Sequence, residues 1–160
     1  MKNDKFLIII IIGIVGLVAA ALIIVLSRAK TETYLADDSP EGVVHNYFLA
    51  VQREDYDKAY SYLSDDLKNK PDLDDFILGI DNYNNVREAS LQLSDTNITA
   101  DRAQVKVAIT TYSGGDLFDS RSYANRDTAH LRQTTAGSWQ LIQFPYPYWG
   151  YDWNEEPVKE

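Results

Sequence analysis

The chain has 160 residues, with 15 Lys and Arg against 24 Asp and Glu, and it contains no cysteine. The missing cysteine excludes thiol nucleophiles, thiolate metal sites and disulfides. The excess of acidic residues argues against nucleic-acid binding, because a nucleic-acid-binding protein uses Lys and Arg side chains to displace counterions from the phosphates. We expect no nucleic-acid partner, no metal and no cofactor.

An uncharged run of 21 residues, Phe6 to Leu26, follows a short charged N-terminus. At about 1.5 Å per residue, a helix of this length spans the roughly 30 Å hydrocarbon core of a bilayer. The run therefore predicts a transmembrane helix over residues 6–26 that acts as a signal anchor, behind a cytoplasmic tail of residues 1–5. The alternative is a cleaved signal peptide with Ala19–Ala21 as its cleavage site. Apolar residues continue beyond that site, which favours the anchor.

The orientation of this predicted span rests on the charge of the remaining chain. Lys2 and Lys5 precede the run and Arg28 and Lys30 follow it, so the flanks do not decide. Four of the basic residues and one of the acidic residues lie before residue 31, which leaves a net charge of −12 for the rest. We expect a single-pass bacterial cell-membrane protein with its C-terminal domain outside the cytoplasm.

A polar linker over residues 27–38 leads to three amphipathic segments. Ser39, Pro40 and Glu41 supply an N-cap oxygen, a proline at N1 and a first-turn acid, so they predict a helix start. Apolar residues then recur at the helical spacing i, i+3, i+4, i+7. The three stripes are Val44, Tyr47, Phe48 and Val51; Tyr56, Ala59, Tyr60 and Leu63; and Leu73, Phe76, Ile77 and Ile80.

The second half of the chain changes to a period of two. Leu91 and Leu93 alternate with polar residues, as do Ala103 to Ile109, and Gly114 to Asp116 predict a turn. Further strands are expected over 117–133 and 139–144. We predict an α+β domain over residues 39–146, with three helices packed on one face of a curved, four-stranded antiparallel sheet.

Three segments give this domain a resemblance to the nuclear-transport-factor-2-like superfamily. They are Ser39 to Ala50 with Glu54 to Ala59; Asp101 to Val107, an "A-x-V-x-V" strand; and Gly137 to Leu141, a "G-x-W-x-(apolar)" strand start. The resemblance implies a cone-shaped fold. In that superfamily, enzymes use an Asp or His base with Tyr or Asp donors inside the cone, and many members dimerise through the open sheet face.

The residue pattern itself indicates no catalytic base. His45 lies on the flank of the first stripe, and His130 alternates with Ala129 and Leu131, so both histidines are expected off the core. Asp127 and His130 lie on opposite faces of a regular strand, about 10 Å apart, so they are not expected to act together.

Acidic residues at Asp65, Asp66, Asp72, Asp74 and Asp75 invite a calcium interpretation. An EF-hand loop needs an oxygen ligand at position 5, where Phe76 stands. Capping of the third helix by Asp72 explains these residues more simply.

Two sets of aromatic residues are the candidate functional residues. We predict that a cone pocket is lined by Tyr47, Tyr56, Tyr60, Phe76 and Trp139. The predicted C-terminal tail of residues 147–160 overlaps a segment with six aromatics in ten residues, from Phe144 to Trp153. Its predicted partner-binding residues are Tyr148, Trp149, Tyr151 and Trp153.

The tail leaves three alternatives open: a flap that completes the core, a surface for a protein partner, or rings in the lipid headgroup region. We expect Phe144 and Tyr146 to be structural and Trp149 and Trp153 to be exposed anchors.

The function we predict is a non-catalytic, membrane-anchored accessory domain that binds a protein partner in a membrane or envelope assembly, with a homodimer through the sheet face as a further expectation. The alternatives are binding of a small apolar ligand in the cone and, third, isomerase or dehydratase activity.

Overall fold

The computed structural model describes residues 4–28, 32–82, 89–114 and 120–153. The chain divides into two units, Met1–Thr33 and Tyr34–Glu160. The first unit holds helix α1 (Asp4–Arg28). The described part of the second unit holds helices α2 (Pro40–Gln52), α3 (Tyr56–Ser61) and α4 (Leu73–Asp81), followed by strands β1 (Ala89–Thr99), β2 (Arg102–Gly114), β3 (Ser120–Gln133) and β4 (Trp139–Gln143).

Helix α1 contains the uncharged run on which the membrane predictions rest. Among the described residues, no helix has both the length and the apolar character that a membrane crossing requires. On this finding, the predicted transmembrane helix over Phe6–Leu26, the signal anchor and the cell-membrane location are wrong.

Helix α2 begins as the sequence predicts. The Gly42 amide donates to the Ser39 hydroxyl at 3.1 Å, and Pro40 occupies the first turn with Glu41. Ten of the thirteen residues of this helix are buried, because it contacts β1, β2 and β4 as well as α3. The helix is therefore the centre of the domain.

Helix α4 begins at the acidic cluster that invited a calcium interpretation. The Asp75 amide donates to the Asp72 carboxylate at 2.9 Å, which confirms the capping role of Asp72. Asp65 instead pairs with Lys70 at 2.6 Å, and Asp66 pairs with Arg132 at 3.3 Å. These acids are thus accounted for by a cap and two surface ion pairs.

The sheet is antiparallel in the order β1-β2-β3-β4. Alternate residues of β2 and β3 are buried: Ala103, Val105, Val107 and Ile109 on β2, and Ala129 and Leu131 on β3. The outer edge of β4 pairs with the segment after α3, where the Ser64 amide donates to Leu141 O at 2.9 Å. The α+β prediction with four antiparallel strands is confirmed.

The predicted linker includes a segment that packs on the domain, Tyr34 to Asp37, which we call the strap. The Leu35 amide donates to the side-chain oxygen of buried Asn46 at 2.7 Å, and the Asn46 amide returns a bond to Leu35 O at 2.8 Å. A Cβ at Gly42 would collide with Ala36 O. The domain thus begins at the strap, ahead of Ser39.

Candidate functional site

The described part of the tail, residues 147–153, folds back onto the helices and fills the core. Tyr148, Trp149 and Trp153 are 0%, 5% and 6% exposed. The expectation that Trp149 and Trp153 are exposed is therefore wrong, and the flap interpretation describes this segment. Phe144 is buried, as expected, whereas Tyr146 is exposed.

Two tryptophans hold the end of this flap in place. The Trp149 indole N–H donates to Trp153 O at 2.7 Å, and the Trp153 ring stacks on Phe76 with centroids 5.5 Å apart. Gly150 lies directly against the Trp153 ring, where a Cβ would collide with it. The turn from Gly150 to Trp153 is thus fixed at both ends.

Tyr148 contacts α2 at the centre of the domain. Its ring packs on Phe48 with centroids 4.9 Å apart, and its carbonyl oxygen accepts a hydrogen bond from the Tyr47 hydroxyl. Burial raises the pKa of Tyr148 to about 12 and raises the pKa of Tyr47 as well. Both phenols therefore stay protonated at neutral pH and remain hydrogen-bond donors.

The five predicted pocket-lining residues lie in or beside the core. Tyr47 is described above, the Tyr56 hydroxyl donates to Asp81 at 2.6 Å, and the Tyr60 hydroxyl donates to Pro71 O at 2.8 Å. Phe76 and Trp139 are buried. These residues pack among the helices, strands and flap, and the two clefts beside the tail are lined by other residues.

The larger cleft has a volume of about 490 Å³ and lies between the middle of β3, the end of β4 and the tail. Its lining residues are Asp127, Gln143, Phe144, Tyr146, Trp149, Gly150 and Tyr151. Tyr151 is 96% exposed and Tyr146 is 58% exposed, so the mouth of this cleft carries two accessible phenol rings and a carboxylate.

The smaller cleft has a volume of about 230 Å³ and lies beside Tyr146, which also lines the larger one. Its lining residues are Ile109, Thr111, Tyr123, Asn125, Tyr146, Pro147 and Tyr148. Thr111 pairs with Tyr123 and Ile109 pairs with Asn125 across β2 and β3. The two strands thus form one wall and the tail forms the other. The peptide bond between Tyr146 and Pro147 is cis.

The histidines were expected off the core, and both are half-buried. The Nδ1 of His45 lies 3.2 Å from Asn46 Oδ1. The pKa of His130 is lowered by burial, while the nearby Asp127 carboxylate acts to raise it and Arg102 acts to lower it. The Asp127 carboxylate thus influences the pKa of His130, although residues three apart in a regular strand lie on opposite faces of the sheet.

Sequence reasoning missed Asn125 and Asp127 as lining residues. Both share their side of β3 with the buried Ala129 and Leu131, because side chains two apart in a strand point the same way. That period could have placed them beside the core. The tail residues that meet them could not be found in this way, because the tail has no regular period.

No protein-family model matches the chain, and no curated protein is similar to it in sequence. Solved structures with a similar arrangement include nuclear-transport-factor-2-like proteins. One is such a protein, of unknown function, from Pseudomonas putida, with 14% identity over 66% of this chain and 81% of that one, at a TM-score of 0.49.

A candidate dehydratase of the same family, from Streptomyces avermitilis, is 18% identical over 64% of this chain and 93% of its own, at a TM-score of 0.40. A SEC-C motif containing protein from Rhodopseudomonas palustris is 18% identical over 67% and 77%, at a TM-score of 0.46. At these identities and scores, the neighbours carry no information about the activity or ligand of this chain.

Proposed function

We propose that the α+β domain is a non-catalytic module that binds a protein partner, and that the larger cleft is its binding surface. The observation that carries this proposal is the state of Tyr151. Its ring is 96% exposed, although it lies between two tryptophans that are 5% and 6% exposed. A ring presented in this way has its full apolar surface available for burial against a partner, and such burial favours association.

The turn that presents Tyr151 is ordered before any partner arrives. The Trp153 amide donates to Gly150 O at 3.3 Å, and the Trp149 indole N–H bonds back to Trp153 O. The Asn69 side chain also donates to Asp152 O at 3.1 Å. Binding at this turn would therefore lose little conformational entropy. Tyrosine is also among the residues that dominate interface energies.

Charge indicates the chemistry of the partner. Residues 31–160 carry a net charge of −12, and the cleft itself contributes Asp127, with the exposed Asp152 beside Tyr151. A segment with lysine or arginine side chains would be attracted to this surface, and its cations could contact both the carboxylate and the faces of Tyr146 and Tyr151. We propose a basic, extended segment as the bound element.

The non-catalytic part of the proposal rests on what faces the cleft. Asp127 is exposed, and its carboxylate accepts a hydrogen bond from the backbone amide of Thr128 at 2.8 Å. His130 lies three positions further along β3, which in a regular strand is the opposite face of the sheet. Among the described residues, the larger cleft is lined by a single carboxylate, Asp127, and neither of the two clefts beside the tail is lined by a histidine, a lysine or a second carboxylate that would act with it in proton transfer.

Site-specific photo-crosslinking in the full chain tests this proposal. A benzophenone amino acid replaces Tyr151 in one variant and Tyr112 in the other. Tyr112 is also an exposed tyrosine, but it lies on β2 beside Ser90. We expect light-dependent adducts from position 151, with the attached peptide rich in lysine or arginine, and few from position 112. Absence of adducts at 151, or equal adducts at both positions, would contradict the proposal.

A homodimer through the sheet face stays a prediction. The side of the sheet facing away from the core carries a polar hollow of about 290 Å³, whose lining includes Gln92, Ser94, Lys106, Arg126 and Thr128. An interface here would be polar and hydrated, so sedimentation at increasing salt would test it.

A further inference from the structure

The larger cleft combines accessible aromatic rings with a carboxylate. The exposed phenols of Tyr146 and Tyr151 lie at its mouth, and the rings of Phe144 and Trp149 also line it. Among the described residues of this lining, Asp127 is the one charged side chain. The faces of aromatic rings attract cations, and a carboxylate pairs with them. The lining as a whole is therefore suited to a cationic group.

The Asp127 carboxylate keeps most of its capacity to accept hydrogen bonds. Its Oδ1 accepts from the Thr128 backbone amide at 2.8 Å, and within the described part of the chain no second donor or ion-pair partner contacts it. An ionised carboxylate has about four acceptor sites. The exposed Gln143 lines the same cleft and carries a further acceptor, the oxygen of its side-chain amide. The wall of the cleft thus offers several oxygen atoms to a group with many N–H donors.

We propose that the bound basic segment is anchored in the larger cleft by an arginine side chain, and that Asp127 is the residue that makes the cleft prefer arginine to lysine. This inference rests on the proposed function and names the side chain that the surface recognises. The guanidinium group donates paired N–H groups to the Asp127 carboxylate, while its plane lies against the exposed ring of Tyr146 or Tyr151.

Arginine matches this lining better than lysine because of the shape and hydration of its charged group. The guanidinium is planar, carries five N–H donors in a fixed fork, pairs with a carboxylate through two bonds and stacks on aromatic rings. The lysine ammonium is a compact, strongly hydrated charge that loses more hydration beside apolar rings. The cleft volume of about 490 Å³ is roughly three times that of a cavity that holds benzene, so a whole arginine side chain can enter.

Three matched peptides test the preference for arginine. They are fluorescein-labelled glycine peptides in which alternate residues are arginine, lysine or citrulline, and citrulline has the shape of arginine without its charge. Fluorescence anisotropy measures the affinity of each peptide for the full chain. We expect the arginine peptide to bind about three- to fivefold more tightly than the lysine peptide and about tenfold or more tightly than the citrulline peptide, because hydrogen bonds between charged groups are the stronger ones.

Two variants with the same change in charge locate the preference. Asp127→Asn keeps a side-chain oxygen for the Thr128 amide, so it should fold like the parent and bind the three peptides within about twofold of one another. Asp152→Asn, at an exposed position beside Tyr151 and outside the cleft lining, is the control and should keep the arginine preference.

The proposal is overturned if the parent binds the arginine and lysine peptides equally, if Asp127→Asn keeps the preference, or if the arginine peptide shows no binding at millimolar protein concentration. These results are independent of photo-crosslinking at position 151. Adducts at 151 without an arginine preference would overturn this inference and leave the proposed function standing. An arginine preference without adducts would contradict the proposed function instead.

Discussion

The Tyr47 hydroxyl donates a hydrogen bond to the main-chain carbonyl of Tyr148, which lies 101 positions further along the chain. This bond joins the middle of α2 to the flap. The Tyr47 ring also packs on Phe144 and Trp149, with centroids 4.9 Å and 6.1 Å apart. Within the residues that the structure describes, the Tyr47 hydroxyl thus has a hydrogen-bond partner and the nearby Tyr148 hydroxyl has none. This contrast makes a direct prediction.

Removing the two hydroxyls should have opposite effects on stability. Tyr47→Phe leaves the buried carbonyl of Tyr148 without its donor, so we expect a loss of about 1–3 kcal/mol in the free energy of unfolding. Tyr148→Phe removes a buried hydroxyl that has no partner among the described residues, so stability should be unchanged or higher. Urea unfolding of both variants measures this difference. Equal losses would show that the Tyr148 hydroxyl has a partner in solution.

Mutation of a buried aromatic residue in the tail should destabilise the domain much more than mutation of an exposed one. Trp153 stacks on Phe76 and is buried, so Trp153→Ala should cost about 3–5 kcal/mol and lower the melting temperature sharply. Tyr151→Ala removes an exposed ring two positions earlier and should stay within about 0.5 kcal/mol of the parent.

Calorimetric melting of the two variants checks this order. If Tyr151→Ala destabilised the domain as much as Trp153→Ala, the Tyr151 ring would be packed in solution and the binding surface proposed for it would be lost.

The strap should come loose when its buried partner is removed. Asn46 makes two hydrogen bonds to the backbone of Leu35 and one to the Asp37 carboxylate at 2.5 Å. Asn46→Leu has a similar volume and cannot make them, so we expect a loss of about 2–3 kcal/mol.

Limited proteolysis gives a local measure of the same change. Chymotrypsin should cleave at Tyr34 or Leu35 much faster in Asn46→Leu than in the parent, because local opening exposes the strap. Asn97→Leu, at an exposed position of β1, serves as the control and should keep the parent rate. Unchanged cleavage in Asn46→Leu would mean that other contacts fix the strap.

Local signals account for the parts of the fold that the sequence predicted correctly. Ser39 and Asp72 cap helices because each provides a side-chain oxygen at the position where free amide groups need acceptors. The alternation from Ala103 to Ile109 predicted one buried face of β2, and all four apolar residues in it are buried. Such signals lie within a few residues and need no tertiary information.

The site could not be predicted in the same way because its geometry depends on contacts distant in sequence. Which tail aromatics are buried is decided by the bond between Tyr47 and Tyr148 and by the stack of Trp153 on Phe76. In a segment without a regular period, Tyr151 and Trp153 look alike in sequence, yet one is exposed and the other is buried. The strap was missed for a similar reason, since Asn46 lies eleven positions from Leu35.

The domain should lose folding stability at alkaline pH because of the buried phenol of Tyr148. The pKa of Tyr148 is about 12 in the folded protein, against about 10 in an unfolded chain. The unfolded state therefore releases this proton first, so the contribution of the protonated phenol to stability is complete below pH 10 and is lost as the pH rises from 10 to 12. One pKa unit corresponds to about 1.4 kcal/mol, so the loss is on the order of 1 kcal/mol at pH 11 and approaches about 3 kcal/mol above pH 12.

Urea unfolding of the parent and of Tyr148→Phe at pH 8 and pH 11 isolates the contribution of the Tyr148 phenol to this loss of stability. Burial also raises the pKa values of Tyr47 and Tyr62, so both proteins should lose stability on going to pH 11. The parent should lose on the order of 1 kcal/mol more than the variant, and at pH 7–9 the stabilities of the two should respond alike to pH. If the two proteins lose the same stability at pH 11, the Tyr148 phenol is solvated in the folded state and is not buried as the structure places it.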